Sequence, residues 1–242
     1  MNFEEFYSEC RAAFAQNDLP MLTEEQAKLF FSLTEIMLET NKSMNLTAIK
    51  DEKTVILKHY VDSLLVSAFI PEGATVLDVG CGAGFPTFPL AIMRPDLTIV
   101  ALDSTAKRIA YVQRTANALG LSHITAIAAR AEELAFDPAH RERYDVVTAR
   151  AVAALPVLAE LCLPFARIGG AFLPMKAKQA SEEVSAAQTA IATCGGKLSD
   201  VHTFLLRGGD EPEPRTLACI SKVSATPKNY PRHFSKISKK PL

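Results

Sequence analysis

The chain of 242 residues has no uninterrupted apolar run approaching the roughly 20 residues of a membrane span, so no membrane partner is expected. Its start, Met-Asn-Phe-Glu-Glu, lacks the basic and apolar regions of a signal peptide, and the cytoplasm is the expected location. Cys10, Cys81, Cys162, Cys194 and Cys219 are odd in number and scattered, with no C-x-x-C pair and no histidine at ligand spacing. That pattern argues against both a disulfide framework and a zinc site, and reduced thiols with no bound metal are expected. Internal repeats and low-complexity tracts are absent. A formal net charge of −1 gives no overall basic character, but charge is unevenly spread. Residues 1–30 carry six acids against Arg11 and Lys28, whereas the final 22 residues, from Ser221, contain no acid at all. Apolar residues at 48% and charged residues at 22% describe an ordinary globular chain that can bury a core.

The pattern along the chain changes character near residue 71. Before it, Phe3, Phe6 and Phe14 share one helical face, Leu22 to Leu38 repeats apolar residues at helical spacing, and Val55 to Phe69 reads as another helix. Asn41 to Thr47 is turn-forming, and Pro71-Glu72-Gly73 separates this helical extension (1–70) from the rest of the chain. From 71 to 242 strands and helices alternate: strands at 74–79, 98–102, 123–128, 144–149 and 171–176, with helices near 87–93, 105–119, 154–167 and 179–193. Gly169-Gly170 marks a break, and strands at 199–206 and 216–223 form a closing hairpin. This predicts a doubly wound α/β fold with a seven-stranded sheet.

The chemistry concentrates where the first strand ends, at Asp78-Val79-Gly80-Cys81-Gly82-Ala83-Gly84-Phe85-Pro86. Glycines at this spacing let backbone amides close on a ligand with no Cβ in the way. The second strand ends at Asp103, 19 residues past Gly84, where a carboxylate can take ribose hydroxyls or simply cap the helix that starts after Ser104 and Thr105. The glycines read G-x-G-x-G, not the G-x-G-x-x-G of dinucleotide sites. With Asp78 ahead of them they resemble the first motif of class I (Rossmann-like) S-adenosylmethionine methyltransferases. A dehydrogenase or a non-catalytic nucleotide-binding module is the alternative class.

Longer stretches carry a closer resemblance, nearly end to end. They are Asn45-Leu46-Thr47-Ala48-Ile49, His59 with Asp62-Ser63-Leu64, the loop at 78–86, Leu102-Asp103-Ser104 with Lys107-Arg108, Arg130-Ala131-Glu132, Ala149-Arg150-Ala151-Val152-Ala153, and Thr226-Pro227 through Tyr230-Pro231-Arg232. Together they resemble the bacterial 16S ribosomal RNA 7-methylguanosine methyltransferase family, also called glucose-inhibited division protein B. The resemblance implies a helical extension on a class I methyltransferase domain, S-adenosylmethionine as cofactor, and cofactor contacts at Gly80, Phe85, Ala131, Glu132 and Arg150, beside the loop residues Asp78, Gly82 and Gly84 and the acid Asp103. It implies guanine N7 of 16S rRNA, free or in the small ribosomal subunit, as the target. Departures exist: Thr87-Phe88 stand where the family usually has Gly-Ile, Ala177 where a Gly often follows the lysine, and His233-Phe234-Ser235 interrupt an Arg-x-Gly stretch. Phe88 would crowd the loop.

The residues themselves narrow the reaction. Arg150 follows the fourth strand, at the carboxyl edge where open α/β sheets bind ligands. A guanidinium stays protonated, so Arg150 can position a cofactor carboxylate, a phosphate or guanine O6 but cannot act as base. His59 and Asp62, one helical turn apart, read equally as a surface pair. Cys81 and Cys162 raise thiolate catalysis of cytosine methylation, but one lies in the loop and the other in an apolar helix. No Asn-Pro-Pro-Tyr follows the fourth strand, which disfavours methylation of an exocyclic amine. Guanine N7 already presents a lone pair and needs no base, in keeping with the lack of a catalytic dyad. The basic end, with Lys228, Arg232, Lys236, Lys239 and Lys240 and with Tyr230 and Phe234 for stacking, is the expected RNA contact. A small-metabolite methyltransferase would explain the loop but not this acid-free end. A monomer is expected.

Overall fold

The computed structural model describes residues 1–177 and 180–242. Seven strands form one sheet: β1 (Thr75–Val79), β2 (Thr98–Asp103), β3 (Ile124–Ala128), β4 (Tyr144–Arg150), β5 (Ala166–Lys176), β6 (Gly196–Leu206) and β7 (Glu213–Lys222), in the order β3-β2-β1-β4-β5-β7-β6. β1 to β5 pair in parallel, and β7 runs antiparallel to both β5 and β6. The order reverses between β1 and β4, and such a switch point opens a crevice at the carboxyl ends of the strands. Both the glycine turn and Arg150 lie there.

The helices are α1 (Phe3–Gln16), α2 (Glu24–Met44), α3 (Glu52–Val55), α4 (Asp62–Leu64), α5 (Thr87–Met93), α6 (Ala106–Ala118), α7 (Ala131–Leu134), α8 (Leu155–Cys162), α9 (Ala180–Ala186), α10 (Gln188–Thr193) and α11 (Phe234–Lys239). One apolar cluster joins Phe6, Phe30 and Tyr60 of the N-terminal helices to Val76, Ile99 and Ile124 of the sheet. A second covers the other face, from Leu77 and Val147 to Leu158, Ile191 and Ile237. The alternation of β1 explains the division: Val76 and Asp78 face the N-terminal helices, Leu77 and Val79 face α8.

Several boundaries differ from the sequence expectation. The expected helix over 55–69 is interrupted by a π turn, Ile56–Val61, and a 3₁₀ turn, Ser67–Phe69. The turn expected at 41–47 is helical as far as Met44, and Asn45 ends α2 with a φ of +49°. Asn41 then brackets Thr47, donating to its carbonyl (2.9 Å) and accepting from its amide (3.0 Å). The helix expected over 154–167 stops at Cys162, because Pro164 cannot continue it. Gly169-Gly170 lies inside β5, where the pairing register with β4 shifts, and is not a connecting loop. Residue 179, the expected start of the next helix, lies outside the described residues; from Ala180 the segment forms two short helices.

Candidate active site

Two cavities flank the end of β4. The first is a cleft of about 350 Å³ at the glycine turn, walled by Gly80, Asp103, Arg108, Ala131, Glu132, Val152 and Phe234. The second holds about 420 Å³ between the π turn, β4, β5 and the β6–β7 pair. Among the described residues, Ala151 alone lines both. It has a φ of +56°, a conformation rarely adopted by a residue with a Cβ, and so turns the chain sharply between the two spaces.

In the first cleft a Cβ on Gly80 would stand 2.5 Å from Val152 Cγ2, which accounts for glycine at that position. Asp103 accepts from the Thr105 amide (2.8 Å) and the Gly82 amide (3.1 Å), so it shapes the following turn and also ties the glycine loop to the end of β2. Glu132 is buried at 5% exposure and pairs through Oε1 with Arg130 Nε (2.6 Å), leaving Oε2 without a partner in that pair. It is not a solvated surface charge. Phe234 reaches the cleft wall from α11, with the Arg130 guanidinium 5.3 Å over its ring.

Gly80, Asp103, Ala131 and Glu132 therefore line this cleft, whereas Asp78, Gly82, Gly84, Phe85 and Arg150 do not. Asp78 is fully buried beneath it, accepting from Thr87 Oγ1 (2.6 Å) and the Thr87 amide (3.3 Å), while its Oδ1 has no partner. Burial pushes its carboxyl up to about 6 against the pull of Thr87 and Arg150. Thr87 is thus the anchor of this acid. Phe88 does press on the loop, its fully buried ring packing against Gly84, where a Cβ would lie 2.3 Å from it, and edge-on to Tyr111, but it does not line the cleft.

Arg150 belongs to the second cavity. Its Nη1 donates to the Lys58 carbonyl (2.9 Å) and to Asp62 Oδ2 (3.2 Å), and its Nη2 to His59 Nδ1 (3.3 Å). Phe85, stacked on His59 at 4.3 Å, lies under the same guanidinium at 5.6 Å. His59 and Asp62 are therefore not a surface pair but joint holders of Arg150, and the π turn aims both at it. Because a guanidinium can only donate, His59 Nδ1 is an acceptor and its proton sits on Nε2, 2.9 Å from Thr47 Oγ1. Burial, and then the Arg150 cation, pull His59 down to about 4, so the ring is neutral with both nitrogens engaged.

Arg215 and Phe204 of this cavity had no motif to announce them, and Lys176 figured only as the lysine before Ala177. Arg215 donates from Nε to Asp62 Oδ1 (2.8 Å). Lys176 Nζ donates to the Ala153 carbonyl (2.8 Å) and pairs with Glu183 (2.7 Å), which itself accepts from the Leu155 amide (2.9 Å), so the pair ties down the loop after β4. Phe204 of β6 completes the wall. Strand register brings Arg215 and Lys176 here, with Lys176 opposite Thr216; the alternation of β7 would have assigned Arg215 a face, but not a partner. Ala177 also lines this cavity.

The C-terminal segment is neither frayed nor wholly free for RNA. Arg232 grips the fully buried Glu160 through Nε (2.9 Å) and Nη2 (2.7 Å), and Ile237 enters the core. Arg232 thus anchors the tail, and Phe234 faces the glycine cleft. Lys228, Lys236, Lys239 and Lys240 remain exposed. Cys81 and Cys162 are buried thiols whose burial pushes their ionisation well up, which removes them as nucleophiles.

The family model described as GidB, rRNA small subunit methyltransferase G, matches residues 26–209. The chain belongs to that family. A protein of Leuconostoc citreum named ribosomal RNA small subunit methyltransferase G is 43% identical to this methyltransferase over 225 residues, covering 91% of this chain and 93% of that protein. One of the same name from Listeria welshimeri is 42% identical over 244 residues and covers both chains completely. The fold is that of S-adenosylmethionine-dependent class I methyltransferases: a solved enzyme of this kind from Aquifex aeolicus superposes with a TM-score of 0.52 at 18% identity, over 75% of this chain and 97% of that one.

Proposed function

We propose that this methyltransferase transfers a methyl group from S-adenosylmethionine to guanine N7 in 16S ribosomal RNA of the small subunit. The observation that carries the reading is the pair of cavities meeting at Ala151: the one at the glycine turn suits a nucleoside cofactor, and the other opens beside it at the carboxyl edge of the sheet. The residues present fit that cofactor. Gly80 offers backbone unobstructed by a Cβ, Asp103 keeps its carboxylate at the end of β2 for ribose hydroxyls, and Ala131 and Glu132 lie where the adenine end would reach. The unpartnered Oδ1 of Asp78 beneath the loop adds negative charge for a cationic ligand. The cofactor supplies an electrophilic methyl on a positively charged sulfur.

The chain's own residues are arranged for alignment and not for proton transfer. His59 is neutral with both nitrogens bonded, Arg150 remains a cation, and neither Cys81 nor Cys162 offers a thiolate. Attack by the N7 lone pair releases no proton at the reacting atom, so a site without a base suffices, and the rate comes from proximity and orientation. Arg150, fixed through Lys58, His59 and Asp62, holds the wall beside the junction. The test is to digest small-subunit RNA treated with purified protein and labelled cofactor and to identify the nucleoside. Label in 7-methylguanosine is expected; label in 5-methylcytidine or N6-methyladenosine would overturn the assignment.

A further inference from the structure

We infer that the second cavity seats the target guanine, with Phe204 stacking on the base and Arg215 selecting it through O6. The inference rests on guanine N7 being the methyl acceptor and extends that reading to residues of the β6–β7 pair. Guanine carries N7 and O6 side by side on one edge, both acceptors, whereas adenine places an amino group where O6 would be. A base turned with N7 toward Ala151 must therefore present O6 to the cavity wall close by. Recognition there needs a donor that leaves N7 free, and an amino group at the same place would meet a donor and be rejected.

Arg215 has the donors. A guanidinium carries five N–H groups; Arg215 engages three, with Asp62 Oδ1 (2.8 Å), Glu213 Oε2 (3.0 Å) and the Pro214 carbonyl (3.1 Å). The remaining two belong to a side chain 14% exposed that lines the cavity. Asp62, gripping Arg150 through one oxygen and Arg215 through the other, fixes both guanidiniums against each other. Arg150 is held into the π turn and over Phe85, so it backs the wall that Arg215 completes.

Phe204 supplies the aromatic face. Its ring lines the cavity and is itself supported by Phe69, edge-on at 6.0 Å, and by His202 at 6.5 Å. An unstacked base finds its partner on such a ring. The charge balance agrees: the described lining carries Lys58, Arg150, Lys176 and Arg215 against Asp62 and Glu183, an excess of cations suited to a base attached to phosphate. The volume, about 420 Å³, lies within the range of small-ligand sites.

The test replaces the target guanine, located by mapping the product of the parent protein, with 2-aminopurine, which keeps the ring and N7 but lacks O6. Arg215→Met and Phe204→Leu are compared with the parent on free RNA and on assembled particles, with S-adenosylmethionine affinity measured for each. The parent should prefer guanine by about tenfold or more in kcat/KM, the size of a good base-edge contact. Arg215→Met, which has no donor, should lose most of that preference at unchanged cofactor affinity, and Phe204→Leu should raise KM for both substrates several-fold. A preference undiminished in an Arg215→Met protein that binds cofactor overturns the inference. Should that variant not bind cofactor, an unchanged KM in Phe204→Leu overturns it instead. A parent protein that forms no 7-methylguanosine defeats the underlying reading, a separate outcome.

Discussion

Arg150 shows how much a single side chain is asked to hold. It meets a carbonyl, a carboxylate, an imidazole and a phenyl ring at once, and only a planar fork can do so. Arg150→Lys keeps the charge and loses the fork, so kcat/KM on RNA should fall at least about tenfold. Because Arg150 does not line the glycine cleft, calorimetry should find S-adenosylmethionine affinity nearly unchanged; full activity in this variant would remove the residue from its role. Asp78 makes a pH-dependent prediction. Its carboxyl, raised by burial to about 6 in the folded protein, ionises in the unfolded chain near the ordinary value of about 3.9. Its contribution to stability is therefore fully present below about pH 4 and is lost as pH rises through about 6, a difference on the order of 3 kcal/mol. Asp78→Asn, which can still accept from Thr87, should be more stable than the parent at pH 8 by up to that amount and no more stable at pH 4. Urea unfolding at both values measures it, and a gain independent of pH would contradict the ionised, unpartnered carboxylate.

At the scale of elements, the tail divides into an anchor and a free edge. Arg232 and Ile237 secure α11 against α8, while Lys236, Lys239 and Lys240 stay exposed. Replacing these three lysines with alanine should weaken RNA binding and lower its salt slope by about two at most, the loss expected for three phosphate contacts on a single strand. Cofactor affinity should not change. A triple variant with the parent's RNA affinity and slope would make these three lysines bystanders to RNA binding. The elements were legible to different degrees. β1, β2 and β4 announced themselves as apolar runs that close on Gly or a charged residue, and their ends fell within about a residue of expectation. The π turn could not be read, since one extra residue in a turn leaves helical spacing almost intact, yet it is what delivers His59 and Asp62 to Arg150. Composition marked the tail as basic, but composition is blind to Glu160, the buried acid that captures Arg232.

For the whole molecule, the doubly wound pattern and the glycine cleft were legible in the sequence because both depend on local spacing. The second cavity was not, because it is assembled from the π turn, the end of β4 and the β6–β7 pair, segments that meet only through sheet register. The order β5-β7-β6 has a consequence for how the molecule comes into being. β6 leaves the ribosome before β7 but, among the described residues, pairs only with β7, which lies between it and β5. During synthesis, then, β5 is an open edge and β6 a strand without a neighbour, the state in which sheets recruit wrong partners. Insertion of β7 closes that edge and in the same event carries Arg215 to Asp62. Completion of the sheet and completion of the second cavity are thus one step, and a nascent chain halted before β7 would expose the edge without possessing the site.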